Sequence, residues 1–325
     1  MAVRHMRVDP FMIAILASAL LAFLLPATGA GADVVSHVTT GAIVLLFFGY
    51  GARLSVREAL AGLTHWRLHL MILACTYLVF PALALALVAI PDAVLSPAMR
   101  FGLIFLCLVP STVQSSITFT SIAGGNIAGA MVSATASNIL GVVITPLLAL
   151  LFLPAHGGTI GLGQVRDVAL QLLLPFVLGQ LSRPLTAEFM ARHRRRVTLL
   201  DRVVICLVVY RAFSGFFADR AWVQVRALDF LVMVAASLVI LTFMFAFTWW
   251  VSGVTGFSRP DRIAIMMCGT KKSLATGVPI AAILFAGQSI GLIVLPLMVF
   301  HQAQLMAATV ISGRMGRAPE GTGTN

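Results

Sequence analysis

Two adjacent lysines stand inside an apolar segment of this chain, where a charged side chain is costly. Lys271 and Lys272 belong to the stretch MMCGTKKSLATGVP (266–279) and are the only lysines in the sequence. A lysine at the centre of a bilayer costs about 2.5–3.5 kcal/mol on insertion scales. Neighbouring residues on a helix point about 100° apart, so both ammonium groups can face one cavity only where the helix is unwound. The pair predicts a cationic site for an anionic substrate or a built-in substitute for a coupling cation; a purely structural lysine is the alternative.

A second polar cluster follows a proline in the apolar stretch LCLVPSTVQSSITFTS (106–121). Pro110 removes one helix hydrogen bond and frees backbone carbonyl groups, which need new partners in lipid. The side chains that could supply these partners, or could coordinate an ion together with the freed carbonyls, include Gln114, Ser115, Ser116 and Thr118. Hydroxyl groups that satisfy a kinked helix or pack between helices are the alternative interpretation.

Other candidate residues carry polar side chains in or beside apolar segments. The further binding candidates are Asn126, Thr135, Ser273, Thr276, His301 and Gln302. The residues predicted to break helices are Pro110, Gly124, Gly125, Gly269, Gly277 and Pro279. His301 could carry a proton near neutral pH, although a hydrogen-bonded structural histidine is the alternative.

Several kinds of chemistry are not expected. No Asp or Glu lies in the middle of an apolar segment, which argues against a proton relay through a buried carboxylate. The chain shows no Ser/His/Asp set, metal-ligand spacing or nucleotide-binding loop, so we expect neither an enzyme nor a bound cofactor. The net charge of +11 would suggest nucleic acid in a soluble protein. Here the arginines lie in short loops between apolar segments, which is a topology signal, and no nucleic-acid partner is expected.

The elements that must position these residues are transmembrane helices. The chain of 325 residues is 60% hydrophobic and 10% charged, whereas soluble proteins are about a quarter charged. At roughly 20 residues for each crossing, the chain holds about ten spans. The predicted spans are 11–27, 34–50, 68–90, 98–122, 127–153, 167–183, 203–218, 228–252, 261–286 and 289–312.

The arginines predict the orientation of these spans. With the amino terminus in the cytoplasm, 15 arginines fall on the inner side and 4 on the outer side. This asymmetry predicts a multi-pass protein of the cell (inner) membrane with both termini cytoplasmic and a short cytoplasmic tail at 314–325. Residues 1–30 could instead be a cleaved signal peptide, and the arginine count is satisfied equally well in that case.

The two halves of the chain resemble a duplication. Spans in the second half follow those in the first at offsets of roughly 160 residues, which predicts repeats at about 9–154 and 165–313 within one transmembrane domain, 1–325. Because five is an odd number of crossings, the two repeats must be inverted in the membrane. Spans 4 and 9 are interrupted at matching places, which is typical of secondary transporters.

Four stretches of the chain resemble the bile acid:sodium symporter (SBF-like) superfamily, and within it the bacterial branch of sodium-dependent transporters. They are CGTKKSLATGVP (268–279), FHQ (300–302), Pro110 with GGN (124–126), and LLLPFVLG (172–179). The resemblance covers nearly the whole chain. It implies a panel of spans 1, 2, 6 and 7 and a core of spans 3–5 and 8–10. In the core, spans 4 and 9 unwind and cross, with sodium sites behind the crossing and an organic anion in front.

The resemblance also implies an altered sodium site. Ser115 and Ser116 fit the sodium ligands of span 4, and Thr135 lies near the hydroxyl ligands of span 5. The glutamate that binds sodium in span 9 falls on or beside Met267, the glutamine falls on Lys271, and no other carboxylate replaces them. A sodium ion is therefore expected, if at all, among neutral oxygens at Ser115, Ser116 and Asn126.

Together these features predict a secondary active transporter of a small organic anion that works by alternating access, with sodium as the coupling ion at an altered site. One alternative is a sodium-independent uniporter or exchanger in which a lysine replaces sodium. Another is a membrane regulator that keeps the fold without transport. The expected partners are the anion and membrane lipid, and the chain is expected to be a monomer or a homodimer.

Overall fold

The chain is all-helical in a computed structural model that describes residues 10–53, 65–152, 166–167, 169–220, 223, 225–286 and 288–316. No β-strand occurs in these ranges, which confirms the predicted helical class. The first nine residues and the part of the predicted tail after residue 316 lie outside the described residues.

Twelve α-helices occupy the described ranges. They are α1 (Pro10–Leu24), α2 (Ala30–Arg53), α3 (Trp66–Val88), α4 (Pro97–Leu108), α5 (Gln114–Ile122), α6 (Ile127–Phe152), α7 (Leu174–Arg192), α8 (Arg194–Ala218), α9 (Ala227–Val254), α10 (Arg259–Gly269), α11 (Leu274–Leu284) and α12 (Ile290–Met315). A π-helical turn, Cys75–Val79, lies within α3, and another, Ala169–Leu173, leads into α7. Each predicted span contains at least one helix, and spans 4 and 9 contain two each.

Among the described residues, five helices are long and apolar enough to cross a bilayer: α2, α3, α6, α9 and α12. Ile13–Leu24 and Pro97–Leu108 are shorter apolar helices. The arginine-rich stretch 183–202 is helical apart from one turn residue, His193, between α7 and α8. Arginine is a good helix former, so a cluster of arginines does not by itself end a helix.

The chain divides into two compact units. The first comprises residues 1–54, 162–224 and 278–292, and so includes α1, α2, α7 and α8. The second comprises residues 55–161, 225–277 and 293–325, which hold α3–α6, α9, α10 and most of α12.

Helices α2 and α7 of the first unit pack backbone against backbone. A Cβ atom on Gly51 would collide with the carbonyl oxygen of Phe176, and one on Gly179 would collide with that of Phe48. Small residues permit such close approach between helices in a membrane. Beside this crossing, Arg53 of α2 makes a two-pronged ion pair with Asp201 of α8, with N–O distances of 2.7 and 3.1 Å.

In the second unit, α3, α6 and α10 share a core of small and branched side chains. Its buried members are Leu68, Ile72, Ala130, Ala134, Ala264, Ile265 and Cys268. The alanines and the cysteine let α10 approach α6 closely, and this packing holds the carboxyl end of α10 in a fixed position.

We expect Gly179→Ala to destabilise the protein by about 1–3 kcal/mol, because the added methyl group overpacks the contact between α2 and α7. Thermal unfolding of the purified protein in detergent measures this loss. The matched control is Gly41→Ala on α2, where a Cβ meets nothing within 4 Å. Equal melting temperatures for the two variants would contradict the packing described here.

Candidate substrate and ion site

The break in predicted span 4 exposes a row of backbone carbonyl groups. Helix α4 ends at Leu108, Val109 adopts extended dihedral angles (φ −74°, ψ 156°), and α5 begins at Gln114. Pro110 lies at the centre of this break and cannot donate a backbone hydrogen bond. The helix therefore ends there, and the carbonyl oxygens on either side must find partners outside it.

Every carbonyl oxygen from residue 107 to residue 111 has such a partner. Thr145 Oγ1 donates to Leu108 O at 2.9 Å, and Asn138 Nδ2 donates to Ser111 O at 2.6 Å. The backbone N–H of Ser273 donates to Pro110 O at 2.7 Å. Lys272 Nζ donates to the remaining two, Cys107 O and Val109 O, at 2.9 and 2.8 Å. The break in span 4 is thus fully satisfied by α6 and by the lysine segment.

The break in predicted span 9 lies against the break in span 4. Helix α10 ends at Gly269 and α11 begins at Leu274, so both lysines lie on unwound chain. Besides the bond from Ser273 N–H to Pro110 O, Ser111 Oγ donates to Cys268 O at 2.6 Å. These two bonds connect the broken ends directly. The lysine segment is therefore unwound, as it must be if both lysines are to face one cavity.

The ammonium group of Lys272 lies among three carbonyl oxygens. Besides Cys107 O and Val109 O, its Nζ donates to Thr76 O at 3.1 Å. The ring centroid of Phe80 lies 4.0 Å from the same nitrogen, a cation–π contact. An ammonium group has three N–H donors, so this set of acceptors uses all of them.

Lys271 reaches a different place and is less fully bonded. Its Nζ donates to Ser115 O at 3.3 Å and lies 4.1 Å from the ring centroid of Phe119, both on α5. Within the described residues, Ser115 O is its one hydrogen-bond acceptor, and none of the ion pairs there includes either lysine. Both lysine side chains are completely buried. The structure thus assigns the two cations to different partners.

The backbone of Lys272 is held by α12. Gln304 Oε1 accepts from Lys272 N–H at 2.8 Å, and Gln304 Nε2 donates to Lys272 O at 2.9 Å. Nε2 also lies 2.7 Å from His301 Nδ1, so with this amide orientation the imidazole nitrogen accepts. His301 therefore helps to orient Gln304 in this arrangement. Gln302 is half-buried on the same helix.

A cluster of hydroxyl groups lies at the start of α5. Thr112 Oγ1 is 2.7 Å from Ser115 Oγ and 3.2 Å from Ser116 Oγ. Gln114 and Thr118, in contrast, are on the exposed side of α5, where Thr118 Oγ1 donates to Gln114 O at 2.9 Å. The structure thus brings two of the four span 4 candidates together and turns the other two away from them.

The remaining candidates are distributed as follows. Ser273 Oγ and Thr276 Oγ1 are 3.2 Å apart, and Thr276 Oγ1 donates to Asn138 Oδ1 at 2.6 Å. The side chain of Asn126 is engaged by Asp261, at 2.8 Å, and by the backbone N–H of Gly129, also at 2.8 Å. Asn126 therefore fastens the turn before α6 to the start of α10, with both its amide oxygen and its amide nitrogen occupied.

Two of the predicted helix breaks need correction. Gly277 and Pro279 lie inside α11, so they do not form the break. Gly277 is needed for packing, because a Cβ there would come within 2.7 Å of Leu297 Cδ2. Gly124 has φ +73° in the turn between α5 and α6, next to Gly125. Gly269 is the last residue of α10, and Pro110 lies in the break itself.

Sequence reasoning missed several residues that complete the site. On α6, the bonds to the break are made by Ser137, Asn138 and Thr145, and Ser137 Oγ accepts from Ser111 N–H at 3.1 Å. Thr135 is half-buried one turn before Asn138. The other two residues that sequence reasoning missed are Thr76 and Gln304. Thr76 contributes only a backbone oxygen, which a sequence motif does not reveal. Gln304, however, lies one helical turn after His301, and its position in an apolar span was a usable signal.

The chain is similar to known transport proteins over nearly its whole length. The model of the SBF-like CPA transporter family matches residues 9–317. The chain belongs to this family. It is 42% identical to "Putative symporter YfeH" of Escherichia coli K12, with 96% of this chain and 94% of that protein covered. It is 45% identical to "Uncharacterized protein PA2026" of Pseudomonas aeruginosa (95% and 93%) and 29% identical to mouse "Sodium/bile acid cotransporter 7" (94% and 92%). The family and these names indicate a membrane transporter.

We expect Gln304→Leu to destabilise the protein strongly, because it leaves the N–H and C=O groups of Lys272 unpaired in a buried place. The cost is about 1–3 kcal/mol for each group. Thermal unfolding is the measurement, and Gln114→Leu, the same substitution on the exposed side of α5, is the control. If both variants unfold at the same temperature, Gln304 does not hold the lysine segment.

Proposed function

We propose that this protein is a secondary transporter that moves a small organic anion across the cell membrane by alternating access. The observation that carries the proposal is Lys271, a completely buried cation on an unwound segment in a member of a transporter family. A buried charge without a carboxylate partner is rare in a membrane protein and commonly marks a substrate or ion pathway.

The hydrogen bonding of the two lysines favours Lys271 as the charge that binds the anion. Lys272 has an acceptor for each of its N–H groups, so an anion could bind it only by displacing a carbonyl oxygen. Lys271 has one acceptor at 3.3 Å, close to the upper limit for a hydrogen bond. Two N–H groups of its ammonium remain to donate to a carboxylate, sulfonate or similar group, and such charge-assisted bonds are strong.

The arrangement of the helices supports alternating access. The two breaks lie at corresponding places in the halves of the chain, as expected of inverted five-helix repeats that make ten crossings. The first unit contains the helices of predicted spans 1, 2, 6 and 7, which match the panel, and the second contains most of the helices that match the core. We accordingly propose a multi-pass chain with both termini in the cytoplasm, surrounded by lipid, as a monomer or a homodimer.

Sodium coupling at Ser115 and Ser116 is a second candidate, favoured by the three hydroxyl groups that meet there with Thr112. Asn126, the third predicted ligand, is bound to Asp261. The ammonium of Lys271 donates to the backbone of Ser115, so a sodium ion beside these hydroxyls would face a like charge. Two such charges 4 Å apart repel by about 4 kcal/mol at an effective dielectric constant of 20. We therefore expect anion binding to occur without sodium.

Thermal unfolding of the detergent-purified protein against a panel of carboxylates, dicarboxylates, sulfonates and steroid-like anions tests the proposal. We expect one class to raise the melting temperature saturably, equally in sodium chloride and in potassium chloride. Lys271→Met should weaken that binding at least tenfold, since a hydrogen bond to a charged group contributes about 1.5–3 kcal/mol. Lys271→Arg, which keeps the charge, should retain part of it.

Two results would count against this assignment. An unchanged response of Lys271→Met, in a sample that remains monodisperse, would show that the anion binds elsewhere. The absence of any response in the wild type would contradict anion binding and favour a regulator of the same fold. A response seen only in sodium chloride would instead support coupling through Ser115 and Ser116.

A further inference from the structure

We propose that the ammonium group of Lys272 is a tethered cation that fills a cation site made of backbone carbonyl oxygens. The site is formed by Thr76 O, Cys107 O and Val109 O, with the face of the Phe80 ring beside them. It would accept a small monovalent cation if the lysine side chain were removed. The consequence for transport rests on the function proposed above, whereas the cation site itself rests on this geometry.

Each carbonyl oxygen of the site has lost its usual helical partner. In the π-helical turn of α3, the N–H of Phe80 donates to Cys75 O, one residue earlier than in an α-helix. Thr76 O therefore lacks that donor, and the next residue, Pro81, has no N–H to offer. In α4, Cys107 O loses Ser111 N–H, which donates to Ser137 Oγ at 3.1 Å. Val109 lies beyond the end of α4.

Convergent carbonyl oxygens in a buried place favour a positive charge. Their dipoles point to one place, as they do where backbone carbonyls replace the hydration shell of an ion in a channel filter. A neutral amine has only two N–H donors and would turn its lone pair toward one of the three oxygens. The three acceptors at 2.8–3.1 Å thus fit an ammonium group with all of its protons. No carboxylate in the described part of the chain pairs with it.

Lys272 is held at its backbone as well as at its ammonium group. Gln304 binds both the N–H and the C=O of Lys272, which fixes where the side chain starts. A free ion must be captured from solution in each transport cycle, whereas this cation cannot leave. We therefore infer that the cation of this site is carried by the chain and does not exchange with the solution.

The test is the cation dependence of thermal unfolding for Lys272→Ala in detergent at constant ionic strength. Sodium, potassium, ammonium and methylammonium chloride are compared with choline chloride, whose cation is too large for the site. We expect Lys272→Ala to melt below the wild type in choline chloride and to regain a few degrees, saturably, in at least one of the small cations. Lys272→Met should not regain stability, because its side chain fills the space, and the control Gly41→Ala should respond to cations as the wild type does.

The proposal is overturned if Lys272→Ala responds to every cation as the wild type does. A second measurement decides the matter if Lys272→Ala does not fold. In Lys271→Arg, Lys272 is the only lysine, so ¹⁵N-lysine labelling gives one side-chain signal by NMR. We expect an ammonium with slowly exchanging protons at pH 7, and an amine or a rapidly exchanging group would contradict the tethered cation. Neither measurement uses an organic anion, so a failure of this proposal is distinct from a failure of the transport assignment.

Discussion

The structure of the site depends on one constraint, which is that backbone carbonyl groups freed from a helix inside a membrane must find new donors. Pro110 ends α4 in the middle of a predicted span, and the carbonyl oxygens of residues 107–111 are then bonded by side chains and backbone from other elements. The polar residues of α6, the unwound lysine segment and Gln304 are all arranged by that requirement. These hydrogen bonds keep the charged lysine side chains inside the membrane, where lipid alone would exclude them.

The two lysines, although adjacent, have different surroundings and consequently different roles. Lys272 is bonded on all sides and stabilises the crossing of the two breaks, as a bound cation would. Lys271 keeps bonding capacity in the same buried region and, in the proposed function, provides the charge that binds the anion. In the proposed function both ammonium groups are charged, and carbonyl dipoles and aromatic rings offset the two charges. This arrangement suits a transporter of anions better than a transporter of cations.

Much of this organisation could be predicted from the sequence, because its signals are local. Apolar length located the helices, and Pro110 and the lysine pair located the two breaks. The exposed positions of Gln114 and Thr118 could not be predicted, since the register of α5 depends on the break before it. The hydrogen-bond partners of the two lysines could not be predicted either, because those of Lys272 depend on the π-helical turn that frees Thr76 O. Pro279 was misleading because α11 continues through it, at the loss of the one backbone hydrogen bond that its missing N–H would have made.

Counterflow of a labelled anion in proteoliposomes measures transport by this protein directly. The anion is the one that stabilises the purified protein most, and vesicles loaded with unlabelled anion are diluted into labelled anion. The account predicts saturable uptake by the wild type, in potassium as in sodium, and its loss in Lys271→Met. Binding without counterflow in vesicles that contain correctly folded protein would contradict transport and leave the protein as a membrane regulator.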